Sequence, residues 1–215
     1  MQPRGRPITL TDDALLDIAR DVFLERGLEA TTSYIAKRAR ISESVIFYRY
    51  KTKEALFSAV FERQLVMPPG FAKLAWRAGV GEVADNLFDA GTSLVELSER
   101  VLPFMMMAFV SPTKLNVLSK HACKPHPMRR ELIGLLSGYF EAEIQAGRLR
   151  PTRAEILART FLGGITQFVM SSHLEEPSGD LDAPTFLRGM IDVLLEGSLD
   201  DRTPRPRPRP ARKRR

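Results

Sequence analysis

The side chains able to do chemistry cluster in residues 32–53, TSYIAKRARISESVIFYRYKTK, where Lys37, Arg38, Arg40, Arg49, Lys51 and Lys53 face a single acid, Glu43. Cations at this density are what a polyphosphate partner requires, and hydroxyls and phenols interleaved with them can hydrogen-bond phosphate oxygens or base edges. Nothing in the chain points to bond cleavage: there is no phosphate-cradling glycine loop, dinucleotide fingerprint, nucleophile motif or metalloprotease signature. The predicted chemistry is therefore binding, with no enzyme activity and no cofactor. Two short helices must position these groups. Thr32 serves as the cap of one, with Ile35, Ala36 and Ala39 on its apolar face. Ser42 can cap the next, in which Ile46 and Tyr50 lie four apart on one side. Two such helices about a tight turn form a helix-turn-helix, whose second helix enters the DNA major groove.

Read with its flanks, the segment TDDALLDIARDVFLERGLEATTSYIAKRARISESVIFYRYKTKEALFSAVFE, residues 11–62, resembles the DNA-binding domain of the tetracycline-repressor (TetR) family. The shared pattern is an amphipathic first helix, a helix-turn-helix with an aromatic-rich recognition helix, and a Lys-Glu-aliphatic start of a fourth helix. Three positions depart from it. Arg40 stands where the turn glycine is expected, Ser44-Val45 where a Gly-Thr pair is usual, and Arg49 where a histidine is usual. A non-glycine residue in a left-handed turn costs about 1 kcal/mol, which strains the motif without removing it. The resemblance implies an all-α protein with an N-terminal three-helix helix-turn-helix domain and a larger C-terminal helical domain for ligand binding and dimerisation. It implies a ligand-responsive regulator, most simply a repressor that binds a palindromic double-stranded operator as a homodimer.

Base edges are reached by the first residues of a recognition helix. Ser42, Glu43, Ser44 and Val45 begin it, and Phe47 either reaches the groove wall or packs against the preceding helix. Glu43 can accept from a cytosine amino group or can cap its own helix. Thr32, Ser33, Lys37, Tyr48 and Arg49 suit backbone phosphates. The resemblance puts a further phosphate contact at Lys53, in the first turn of the fourth helix, where an ammonium and a helix N-terminus together favour an anion. Its bland reading is a solvated lysine.

The net charge of +6 misleads if read globally. Residues 200–215, DDRTPRPRPRPARKRR, carry eight Lys/Arg and two Asp, and the remaining chain has 24 basic and 24 acidic residues. Charge inside the body is instead segregated: residues 11–29 hold six acids and two arginines beside the cationic segment. The alternating Arg and Pro of the tail cannot form helix or central strand and predict an extended, disordered terminus. It is either solubilising or a source of sequence-independent phosphate contact. The expected organisation is an arm over 1–10, a DNA-binding domain over 11–67, a ligand-binding and dimerisation domain over 70–199, and a basic tail over 200–215. No run approaches a membrane span and no secretory signal begins the chain. The single cysteine excludes an internal disulfide. A cytoplasmic protein is the expectation.

Beyond residue 70 the pattern predicts helices near 80–101, 103–120, 127–147, 152–174 and 184–198, separated by prolines, with Pro68-Pro69-Gly70 breaking the fourth helix. The last two are apolar almost all round, so one side can meet the core and the other needs a partner chain. The resemblance implies a four-helix dimer contact, with Phe161, Ile165, Met190 and Leu194 as its candidates and Gly163-Gly164 permitting close approach. The stretch LPFMMMAFV, residues 102–110, is soft and adaptable. Such clusters are core packing or pocket. A pocket for a small hydrophobic effector would be lined by Phe88, Phe104, Met107, Phe140 and Phe168, with Gln167 or His173 as polar anchors. His121, Cys123 and His126 lack a fourth ligand, and no metal is expected. The alternative function is a helical ligand-binding or interaction protein whose helix-turn-helix no longer reads DNA.

Overall fold

The computed structural model describes residues 10–110, 127–174 and 181–197, and within them every regular element is helical. The first helix, α1 (Asp12–Arg26), starts at Thr11, whose hydroxyl accepts from the Ala14 N–H, and carries Asp12 and Asp13 where the helix dipole favours anions. It ends at Gly27, in the left-handed region at φ 57°. A short 3-10 turn, Gly27–Glu29, leads into α2 (Thr32–Ala39), α3 (Glu43–Tyr50) and α4 (Lys53–Gln64). Leu15, Ala19, Val22 and Phe23 of α1 meet Ile35, Ile46, Leu56 and Phe57, all fully buried. These eight side chains hold α2 and α3 at a fixed angle. The cap of α2 is Thr31 rather than Thr32: the Thr31 hydroxyl accepts from the Tyr34 N–H, which leaves Thr32 one residue inside the helix.

Helix formation resumes sooner than the prolines predict. Pro69 begins α5 (Pro69–Arg77), because proline at the first helical position needs no hydrogen-bond partner for its nitrogen. Next, α6 (Val83–Val110) runs straight through Pro103, which the sequence pattern takes as a break. A proline in a long helix loses one backbone hydrogen bond, and buried neighbours such as Leu102 and Phe104 hold the helix together across it. The remaining helices are α7 (Pro127–Gln145), α8 (Ala154–Leu174) and α9 (Ala183–Glu196), the last capped by the Asp182 carboxylate on the Thr185 N–H.

The N-terminal helices and the larger helical body share one apolar core. Phe23 of α1 meets Phe57 of α4 edge-on at 5.0 Å, and Phe57 meets Phe104 of α6 at 5.8 Å. Phe57 is thus a member of both halves. Helices α6, α8 and α9 pack closely where Gly91 admits Leu187 and Phe161, and where Gly164 admits the Met190 sulfur. A polar knot lies at the far end of α6. Fully buried Glu143 accepts the Gly79 N–H at 3.0 Å and pairs with Arg148, whose guanidinium also reaches the Gly81 carbonyl. Beside it the Asn86 amide donates to the Tyr139 hydroxyl, and burial pushes that phenol up to about 12. Among the described residues no helix is long and apolar enough to cross a membrane. The His121, Cys123 and His126 cluster and the tail lie outside the described residues.

Candidate nucleic-acid interface

The turn between α2 and α3 is built on Arg40, at φ 54° and ψ 39°. Its N–H donates to the Lys37 carbonyl at 3.2 Å, and the Ile41 N–H reaches back to the Ala36 carbonyl at 3.1 Å. This is the six-to-one bonding that closes helices in a left-handed residue, normally a glycine. The hydrogen bonds and the burial of Ala36 and Ala39 offset the strain, so the motif closes without the glycine. A second positive φ, 64° at Lys51, lies at the other end of α3, where the Thr52 N–H bonds the Tyr50 carbonyl at 2.7 Å. That three-residue turn is a strained conformation for a side-chain-bearing residue. Thr52 then caps α4 by accepting from the Ala55 N–H.

Much of the positive charge counted in the sequence is consumed inside the domain. Arg38 forms a two-pronged ion pair with Glu25 of α1, both contacts at 3.0 Å, and its guanidinium holds the Tyr34 phenol below its ordinary pKa. Arg26 stacks over the same phenol ring at 3.7 Å. Arg49 pairs with Asp12 at 2.9 Å and donates to the Leu10 carbonyl at 2.9 Å, tying the recognition helix to the start of α1. This contact acts as a clasp, and it engages inside the domain the guanidinium to which the sequence pattern assigns a phosphate contact. The Lys53 ammonium is half-buried and donates to the Leu28 and Ala30 carbonyls at 2.7 and 3.1 Å. One of its three donors remains for a phosphate. Glu43 is likewise engaged: its carboxylate accepts the Thr32 hydroxyl at 2.5 Å across the two helices. It neither caps α3 nor hangs free over a groove, and Thr32 is buried rather than turned to solvent.

The groups left facing outward define the surface. Tyr48 is 80 % exposed and Phe47 43 %, on one side of α3. Ser42 and Ser44, both exposed, share a hydrogen bond of 2.8 Å at its start, with Val45 half-buried beside them. Ser33, Lys37 and Arg40 are exposed along α2 and its turn, and Lys37 and Arg40 form no ion pair among the described residues. Lys51 lies over the Tyr48 ring at 5.3 Å and donates to the Tyr48 carbonyl. The arrangement presents hydroxyls, two aromatic rings and three exposed cations, Lys37, Arg40 and Lys51, on a short helix and its two turns. Its contacts can be phosphate positioning at the edges and base-edge reading in the middle. The signal that sequence reading missed is pairing across helices. Glu25 and Asp12 stand thirteen and thirty-seven residues from their arginine partners, beyond any local spacing rule.

Elsewhere, the residues expected to line one effector pocket are spread apart. Phe104 is enclosed against Phe57, and Phe140 is enclosed beside Tyr139. Phe88 lies under the Arg188 guanidinium at 4.6 Å, Phe168 stacks on Phe186 at 4.3 Å, and exposed Gln167 donates to Ser171. Met107 is half-buried near the end of α6. Of the expected dimer residues, Phe161 and Ile165 are fully buried against Gly91 in the chain's own core, because α8 turns that side inward. Met190 and Leu194 instead line a cleft of about 400 Å³ with Thr160, Phe161, Phe186, Gly189 and Val193. Gly163 and Gly189 open to space, while Gly164 is filled by the chain's own Met190.

Comparison with known proteins agrees with this geometry. The sequence profile of the bacterial regulatory proteins of the tetR family matches residues 15–60, which span α1 to the middle of α4. The uncharacterized HTH-type transcriptional regulator YvkB of Bacillus subtilis (strain 168) is 26 % identical over 140 residues, covering 64 % of this chain and 72 % of that protein. Among solved structures, the transcriptional regulator FadR from Bacillus subtilis in complex with stearoyl-CoA superposes with a TM-score of 0.59 at 16 % identity, covering 86 % and 98 % of the two chains. AibR in complex with isovaleryl coenzyme A and operator DNA superposes with a TM-score of 0.54 at 19 % identity, covering 85 % and 97 %. At those identities the structures establish a shared helical fold. The matched segment is thus the DNA-binding domain of the bacterial regulatory proteins of the tetR family, carried on an all-helical chain.

Proposed function

We propose that the protein is a dimeric repressor that holds a palindromic operator through α3 and releases it when a small hydrophobic effector binds the larger helical domain. The observation that carries this reading is the outward face of α2 and α3, where Tyr48, Phe47, Ser42 and Ser44 stand exposed beside unpaired Lys37 and Arg40. Ser44 and Val45 are assigned base contacts, with Ser42 and Phe47 at their edges. Ser33, Lys37, Tyr48 and the remaining donor of Lys53 are assigned phosphates. Thr32 and Glu43 lock α2 to α3 and act on the reading surface through each other. The turn at Arg40 is closed by its hydrogen bonds, which favours a working motif over a helix-turn-helix that no longer reads DNA.

Dimerisation is assigned to the outer side of α8 and α9. Val193 and Ile156 are 59 % and 54 % exposed there, and the apolar cleft around Met190 and Leu194 opens on the same side. Covering it with a second copy places two recognition helices for successive turns of one DNA face. The effector is assigned an acyl chain, supported by the acyl-CoA complexes of the similar FadR and AibR folds. Met106 and Met107, at the end of α6 that touches α4, give that region the adaptable lining an acyl chain needs. An acyl chain inserted there would displace Phe104, and Phe57 would pass the shift to α4 and so to the spacing of the paired helices.

The test is fluorescence anisotropy with a duplex from the gene's own upstream region, with and without added acyl-CoA esters of graded length. Tight binding preferred over random sequence, relieved by one chain-length class, is the expected result. Equal affinity for random DNA would sink the operator reading, and indifference to every acyl-CoA would sink the effector assignment alone.

A further inference from the structure

We propose that Arg40 and Lys51 are a pair of phosphate clamps at the two ends of the recognition helix, held in positive-φ backbone that the chain otherwise gives to glycine. The inference rests on the reading of α2 and α3 as a DNA-binding surface and gives two of its cations a specific role. Seven of the described residues have positive φ. Five are glycines (Gly27, Gly79, Gly81, Gly147 and Gly197), and the other two are Arg40 at 54° and Lys51 at 64°. Both are cations, in a chain where about one residue in seven is Lys or Arg. They bracket α3, one in the turn before it and one in the turn after it. A side chain in this region destabilises the fold relative to glycine, so strain kept twice beside one surface points to a use for the side chain.

Each cation faces outward. Arg40 is exposed and forms no ion pair among the described residues, and it extends the exposed row of Ser33 and Lys37 along α2. Its turn is closed by backbone alone, from the Arg40 N–H to the Lys37 carbonyl and from the Ile41 N–H to the Ala36 carbonyl. The guanidinium is therefore not needed to hold the turn. Lys51 is exposed as well. Its ammonium donates to the Tyr48 carbonyl at 3.0 Å and lies 5.3 Å from the centre of the Tyr48 ring. That contact leaves two donors and fixes the charge beside an outward-facing phenol.

The spacing suits one groove. Helix α3 has eight residues and so a rise of about 12 Å, and the major groove is about 12 Å wide. Long cations at the two ends of such a helix come to the phosphate backbones that border the groove, and the residues between them are left to base edges. Ser33, Lys37 and Arg40 would hold one strand, and Tyr48 with Lys51 the other. Helix polarity adds a second effect. Arg40 and Lys51 follow the C-termini of α2 and α3, where unpaired carbonyls carry partial negative charge. Left bare, those ends repel a phosphate; a cation there reverses the sign. Glycine would make both turns more stable and leave both helix ends uncovered toward DNA.

The test uses the full chain, the upstream duplex and a random duplex of equal length, with anisotropy at several salt concentrations and urea unfolding of each variant. Arg40→Gly and Lys51→Gly should each raise the urea midpoint yet weaken binding to both duplexes about 3- to 10-fold, with a salt slope lower by about one phosphate. Stability and affinity thus move in opposite directions, which neither a structural cation nor an idle one produces. Arg40→Asn and Lys51→Asn keep a side chain that tolerates the left-handed region and should reproduce the loss of affinity, whereas Arg40→Lys and Lys51→Arg should keep the slope. Raised midpoints with unchanged affinity and slope overturn the proposal. A lowered midpoint overturns it in favour of a structural role, and an altered preference between the two duplexes overturns it in favour of base reading. A companion variant, Lys37→Ala with Tyr48→Ala, separates the clamps from the surface they belong to. If it loses binding while the Gly variants keep theirs, the clamps fail and the surface stands. If the wild-type chain binds neither duplex, the reading of the surface fails and the clamps fail with it.

Discussion

The reading face of α3 and the outer face of α8 and α9 are both proposed as surfaces for partners, and the two are constructed from opposite remainders. Around α3 the chain pairs off its charges: Arg38 with Glu25, Arg49 with Asp12 and Leu10, Lys53 with two carbonyls, Glu43 with Thr32. What is left outside is a small set of hydroxyls, rings and unpaired cations. Along α8 and α9 the chain buries Phe161, Ile165 and Leu187 and leaves an apolar fringe of Val193, Leu194 and Met190. In both regions the side chains with the strongest propensity for interaction are satisfied internally, and the partner meets the residue of that pairing. Counting charges or apolar groups in a sequence therefore overstates a surface; subtracting the internal partners defines it.

The largest expected effect tests whether the two regions belong to one cooperative body. Phe104→Ala should cost about 3–5 kcal/mol, because the fully buried ring is shared between the halves, and a single denaturation transition should move as a whole. Two separate transitions, with the helix-turn-helix unmoved, would break the picture of a common core. Next in size, Val193→Glu should leave the monomer folded, since the side chain is more than half exposed, yet weaken dimerisation by about 2–4 kcal/mol. Sedimentation would show monomers; an unchanged dimer would place the contact elsewhere.

The clasp at Arg49 gives a sharper discrimination. Arg49→Gln should lose about 1–2 kcal/mol of folding stability, Asp12→Asn a smaller part of the same loss, and the double variant little beyond the first. The salt dependence of DNA binding should keep its slope in both, whereas Lys37→Ala should lower the slope by about one phosphate without touching stability. A reduced slope for Arg49→Gln would return that residue to the DNA surface. Arg40→Gly should raise stability by about 1 kcal/mol by relieving the left-handed backbone, measured as a shift in the urea midpoint.

The smallest effect concerns the distal knot. The Tyr139 phenol is held neutral by burial and titrates near 12, above its unfolded value of about 10. A raised pKa contributes stability that is complete below pH ~10 and is lost as pH rises toward ~12, because the unfolded chain ionises first. Tyr139→Phe should cost about 1 kcal/mol at neutral pH and abolish that share of the alkaline loss. If both proteins lose stability in parallel between those values, the phenol is not the group responsible.

Local pattern carried the helix-turn-helix well, since Ile35, Ala36, Ala39 and Ile46 sit at spacings that a helix alone imposes. The same rules placed a break at Pro103, where α6 in fact continues, and no helix before residue 80, where Pro69 in fact starts α5. Burial on both sides outweighed one missing backbone hydrogen bond, and burial is a property of neighbours in space. The pocket residues illustrate the same limit, because Phe104, Phe140 and Phe168 are apolar enough to line a cavity and each instead found a ring or a helix to pack against.

By itself the sequence determined the all-helical class, the helix-turn-helix and the polarity of each surface, because these follow from side-chain type and from periods of three and four along the chain. Only the tertiary structure decided which cations remain free and which of the apolar residues of α8 and α9 face outward. Those are matters of distance between residues far apart in the chain: Arg49 with Asp12, Phe161 with Gly91, and Arg150 with Glu196. A linear pattern records what each residue could satisfy, and packing selects which partner satisfies it.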